Sequence, residues 1–126
     1  YGVHLGARLP AHATSTGRVL LAALPKAQFT AWLKGRSLAR LTAHTVTEPK
    51  AFRAEIEAVR AQDFSEAAQS HELGVYALAV PLRDARGRTV AALNVVAGAQ
   101  RAEGGALRRD LLPVLQDAAR ELRPLL

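Results

Sequence analysis

"GVYALAVPLRDARGRTVAALNVVA", Gly74 to Ala97, is the stretch that decides the fold. Two runs rich in Val, Leu and Ala flank Asp84-Ala85-Arg86-Gly87, and the Asp and Gly of that tetrapeptide are residues that tight turns use. The spacing predicts a β-hairpin with strands within 74–84 and 88–97. Polar alternation is weak in both strands, so each should be covered on two faces, and helices must supply the cover. One residue breaks the pattern: Asn94 puts an amide inside "VAALNVVA". A buried amide needs hydrogen-bond partners, which are either neighbouring backbone or a polar ligand.

The period changes on either side of the hairpin. Upstream, Phe52, Ile56 and Val59 recur on one helical face with Arg53, Glu57 and Arg60 on another. Pro49 to Gln62 is therefore an amphipathic helix, started by Thr47 or Glu48 ahead of the proline. Phe29, Trp32 and Leu33 give a shorter helix, Lys26 to Lys34, between Pro25 and Gly35. Downstream, Leu107, Leu111, Val114, Leu115, Ala118 and Leu122 predict a long helix from about Ala106 to Leu125, which Pro113 should kink or delay. The sum is an α+β domain with an antiparallel sheet flanked by helices.

"RLPAHATSTGRVLLAALP", Arg8 to Pro25, places Thr14, Ser15 and Thr16 directly before an apolar run. Thr14 or Ser15 can cap a helix that runs to about Leu24. A cap uses one hydroxyl, and here there are three. Helix-start amides lack intrahelical partners and sit at the positive end of the dipole, so they suit a carboxylate, with Ser15 and Thr16 as further donors. Gly17 would let a ligand or a strand approach closely. Plain capping and ligand binding both fit these residues.

Composition narrows the classes. The chain has 126 residues, 49% apolar and 22% charged, which suits one folded domain. The net charge of +6 raises nucleic acid as a partner, but the basic residues are scattered, with no run longer than Arg108-Arg109, and only 5% of residues are aromatic. No apolar run is long enough to cross a bilayer and no leader pattern opens the sequence, so the expected location is the cytoplasm. With zero cysteines, thiolate catalysis and cysteine zinc sites are excluded. His4, His12, His44 and His71 follow no HxH or HExxH spacing, so no metal site is expected. "GRVLLAAL" lacks the P-loop frame, and no serine sits in a GxSxG elbow.

Three ordered stretches, "RLPAHATSTGRVLLAALP", "LTAHTVTEPKAFRAEIEAVRAQDF" and "LGVYALAVPLRDARGRTVAALNVV", resemble the C-terminal effector-binding domain of IclR-type bacterial transcription regulators. They look most like the branch responding to aromatic acids and β-ketoadipate-pathway intermediates. The resemblance covers essentially the whole chain. It implies a GAF-like fold, an antiparallel sheet with helices on its faces, holding a small organic acid beside the sheet. It also implies dimer or tetramer contacts, and DNA binding through an N-terminal winged helix-turn-helix domain that is absent from this chain.

Carried over by position, the family's ligand contacts fall on Ser15, Thr16, Val75, Ala77, Asn94 and Val96; the helix-start argument adds Gly17, and Leu78 joins the apolar wall. Tyr76 stands where an arginine is common and Ala77 where Ser or Cys is common. Ala67 and Ala68 occupy the place of a usual acidic residue, and His71 could replace its polar contact. The family domain begins well upstream of Tyr1, so residues 1–126 read as a partial effector-binding domain, and the strand 88–96 should present an open edge. The function expected is non-enzymatic sensing of a small carboxylate without a cofactor. The alternatives are an enzyme using His12 or His71 as a base, and an oligomerisation module whose pocket is filled.

Overall fold

The computed structural model of the chain describes residues 4–126. In chain order it contains α1 (Ser15–Ala22), α2 (Lys26–Leu33), α3 (Pro49–Gln62), β1 (Ser65–Ala68), β2 (Val75–Arg83), β3 (Thr89–Gly98), α4 (Ala99–Ala102) and α5 (Ala106–Leu122). The strands form one antiparallel sheet in the order β1-β2-β3.

The hairpin closes as its turn residues require. Gly87 N–H donates to the Asp84 carbonyl at 3.0 Å, and the Asp84 carboxylate accepts from the amides of Arg86 and Arg88 at 2.9 and 3.0 Å. Gly87 sits at φ +81, where a side chain would be strained. Arg83 pairs with Thr89 and Leu82 with Ala91, so Val90 bulges out of the ladder at the base of the hairpin.

Side chains alternate across the strands and give the sheet two unlike faces. Leu78 and Val80 project to one side and pack with Phe64, Leu107 and Leu115, so α5 covers that face. Leu78, expected in the apolar wall of the ligand site, is instead fully buried against α5, on the opposite side of the sheet from Ala77. The other face carries small residues, Ser65, Ala67, Ala77, Ala79 and Ala92, which lets α1 lie close to the strands. Val19 of α1, Val59 of α3 and Ala79 join there. A third cluster, Leu21, Phe29, Leu33, Phe52 and Ile56, ties α1, α2 and α3 together. Burying a side chain such as Leu78 or Ile56 stabilises by roughly 1.5–3 kcal/mol.

Two further features of the fold have physical causes. β1 is an additional strand: Asp63, left-handed at φ 67, turns the chain out of α3, and Ser65–Ala68 then pairs with Tyr76–Ala79 of β2. Pro113 lies inside α5 without delaying its start at Ala106, because the apolar stripe packed on the sheet outweighs one lost backbone hydrogen bond. α5 ends at Leu122, and Arg123–Leu125 form a 3-10 turn.

Candidate functional site

The start of α1 is built by three residues with different roles. Thr14 is the cap: its Oγ1 accepts from Gly17 N–H at 3.2 Å and donates to the Pro10 carbonyl at 3.0 Å. Gly17 is small for an internal reason, since a Cβ there would run into the Ala11 carbonyl and the Thr14 hydroxyl. The space expected to admit a ligand at Gly17 is thus taken by the chain's own Ala11. Ser15 is 1% exposed, and its Oγ has no hydrogen-bond partner in the structure. An orphaned buried hydroxyl is uncommon in folded proteins and is costly to leave unpaired.

Ser15 faces a cavity. α1 and the residues before it contribute Ala13, Thr14 and Ser15; β1 and the following loop contribute Ala67, Ser70 and His71; the hairpin contributes Val75, Ala77 and Asn94. Five expected site residues therefore meet here: Ser15, His71, Val75, Ala77 and Asn94. Thr16, Gly17 and Val96 do not line it. Thr16 is half-buried, and Val96, on the Asn94 side of the sheet, is 40% exposed at the strand's outer end. Ser65 Oγ is also buried and unpartnered, but it lies outside this lining. The space measures about 10 Å³, room for one water.

The Ser70 position was not anticipated as a site residue, because the loop that carries it has no periodic pattern. Tertiary contacts fix it. Gln69 takes a left-handed φ of 57, its N–H donates to the Val75 carbonyl at 2.9 Å, and its side-chain oxygen accepts from Gly74 N–H at 3.0 Å. Thr42 and Thr45 hydroxyls donate to the carbonyls of Gln69 and Ser70, each at 2.6 Å.

Beneath the loop lies Arg18, 3% exposed. Its guanidinium donates to the carbonyls of His12 and Glu66 at 3.0 and 3.1 Å and to Ser70 Oγ at 3.3 Å. Glu55, with a half-exposed side chain, stands 3.8 Å away. Burial pushes the Arg18 pKa down, and the Glu55 charge opposes that only in part.

His12 is used structurally: its Nε2 is 2.8 Å from the Ala39 carbonyl and its ring packs edge-on to Phe52. Among the described residues no group of three or more His, Asp or Glu could hold a metal ion. Nor is any described helix long and apolar enough to cross a membrane. What converges on the cavity is a set of hydroxyls, an amide, an imidazole and a helix start, against Val and Ala. Such a set suits a small anion with an apolar body.

The family model for the bacterial transcriptional regulator IclR C-terminal domain matches residues 2–123, and the chain belongs to that family. Its likeness reaches particular proteins. The chain is 45% identical over 125 residues to the p-hydroxybenzoate hydroxylase transcriptional activator of Acinetobacter baylyi, covering 99% of this chain and 46% of that one. It is 45% identical over 126 residues to the Pca operon regulatory protein of the same organism, covering 100% and 45%. The chain thus spans a little under half the length of these curated relatives. Among solved structures, the inducer-binding domain of an Acinetobacter PobR double mutant in complex with 3-hydroxybenzoic acid superposes with a TM-score of 0.93 at 45% identity, covering 100% of this chain and 72% of that one.

Proposed function

We propose that the cavity beside Ser15 is the sensing site for a small aromatic carboxylate of the hydroxybenzoate type. One observation carries the assignment: a fully buried serine hydroxyl at a helix start has no protein partner and borders a space shared with Asn94. The carboxylate is placed against Ser15 and the first amides of α1, the ring against Val75 and Ala77, and a ring substituent near Asn94 or His71. The relatives support this chemistry, being regulators named for p-hydroxybenzoate hydroxylase and for the Pca operon, with a 3-hydroxybenzoic acid complex among the neighbours.

A cavity of about 10 Å³ takes a water, whereas about 150 Å³ holds a benzene ring. Ligand entry therefore requires the cavity to widen, and residues 71–74, beyond the Ser70 anchor and mostly exposed, are the part of its wall placed to move away from α1. An acid that binds the open arrangement better shifts the population toward it, and that shift is the signal. The chain would act without turnover or cofactor, as part of a cytoplasmic regulator whose attached winged helix-turn-helix domain binds DNA, with dimer or tetramer packing carrying the coupling.

Calorimetric titration with 3-hydroxybenzoate, 4-hydroxybenzoate and aliphatic diacids tests the reading. The expectation is saturable binding of an aromatic acid, weakened about tenfold in Asn94→Ala and in Ser15→Ala. Undiminished affinity in both variants would refute the site. The cavity's size favours one rival, an oligomerisation module whose pocket stays filled. It predicts that none of these acids binds.

A further inference from the structure

We propose that Arg18 and Ser70 form a relay that selects charged over neutral ligands at this cavity. The proposal rests on the carboxylate reading above, and adds to it the group that supplies the positive charge.

Arg18 is a buried cation with little to neutralise it. Three acceptors hold it in place, the His12 and Glu66 carbonyls and Ser70 Oγ, and all three are neutral. The Glu55 carboxylate at 3.8 Å has a side chain 45% exposed, so water screens much of its charge. An unbalanced positive charge in a low-dielectric interior favours an anion nearby. Arg18 itself does not border the cavity, but Ser70 does. By accepting the Arg18 N–H, the Ser70 oxygen is oriented so that its own proton is left to donate. That proton is a further donor to the cavity, added to Ser15 and the first amides of α1. Polarised by the guanidinium, it makes a stronger bond to a carboxylate than to an amide oxygen.

Hydroxyl and charge can be tested separately. 3-Hydroxybenzoate and the nearly isosteric, neutral 3-hydroxybenzamide are titrated calorimetrically into the wild-type chain and into Ser70→Ala, Ser70→Thr and Glu55→Gln, each with its melting curve recorded. The wild type should prefer the acid. Ser70→Ala should weaken the acid about tenfold and the amide less than about twofold, and Ser70→Thr, which keeps the hydroxyl, should retain the preference. Glu55→Gln, which takes away the opposing charge, should tighten the acid about twofold and leave the amide unchanged. A purely structural role for Ser70 would weaken both probes alike in Ser70→Ala. Equal losses for both probes in Ser70→Ala, or no acid-specific gain in Glu55→Gln, overturn the relay while the carboxylate site stands. Failure of both probes and of the other aromatic acids to bind the wild type removes the site itself, and the relay with it.

Discussion

Gly17, Thr14 and Ser15 are close in sequence, yet the structure predicts three different responses to substitution. A methyl at Gly17 meets the Ala11 backbone, which cannot swing aside as a side chain would. Gly17→Ala should therefore destabilise by about 1–3 kcal/mol, read as a lowered midpoint in urea unfolding. Thr14→Ala removes the cap on α1 and should cost about 1 kcal/mol in the same assay. Ser15→Ala runs the other way. Its hydroxyl is buried without a partner, so its removal should leave the ligand-free chain as stable as the wild type or stabilise it by up to about 1 kcal/mol, while the acid binds about tenfold more weakly. A marked fall in melting temperature for Ser15→Ala would mean that the hydroxyl serves the fold. Of these roles, the Thr14 cap and the candidacy of Ser15 were legible in the surplus of hydroxyls. The reason for Gly17 was not, because Ala11 comes against it only once the segment folds back.

Elements with strong local chemistry were readable, and those made by their neighbours were not. α3 has the bounds expected from Pro49 and the Phe52-Ile56-Val59 stripe, and Glu48 caps it by accepting from the amides of Lys50 and Ala51 at 3.0 and 2.7 Å. Those two bonds, the Lys50 bond most, hold the Glu48 carboxyl below its ordinary value of 4.5. A depressed acid contributes stability above its unfolded-state pKa and loses it as the pH falls through the folded-state value. The melting temperature of Glu48→Gln should therefore fall less than the wild type's between neutral pH and pH ~3. β1 could not be read from Ser-Glu-Ala-Ala, which becomes a strand because β2 offers it a ladder. The wall residue Leu78 was misplaced for a related reason: two strands that read as buried on both faces do not reveal which face meets which helix. With Leu78 fully buried against α5, Leu78→Ala should cost about 2–5 kcal/mol in urea unfolding.

Across the whole molecule, the sheet is protected unevenly. Leu78, Ala79 and Val80 of β2 are buried, while no residue of β3 is, and Val90 and Val96 are 51% and 40% exposed. Among the described residues, the outer edge of β3 has no partner strand, as expected for strand 88–96. Unpaired backbone flanked by apolar side chains invites pairing with a second copy. Sedimentation of the isolated chain should show concentration-dependent mass above 13.5 kDa, and the Val90→Lys, Val96→Lys double variant should sediment as the monomer. Concentration-independent monomer for the wild type would show that the edge is already protected. The proposed ligand site lies on the Asn94 and Val96 side of the sheet, between α1 and the 69–74 loop, so a change there would be felt at the edge through these two residues of β3. Where the ligand sits, and which polar groups hold it, would be seen at once in a crystal structure of the chain with 3-hydroxybenzoate. The expected result is a cavity widened by movement of residues 71–74, with the carboxylate within hydrogen-bond reach of Ser15 Oγ and Ser70 Oγ and the ring against Val75 and Ala77. A ligand bound elsewhere, with Ser15 still buried and unpartnered, would overturn the assignment of the site.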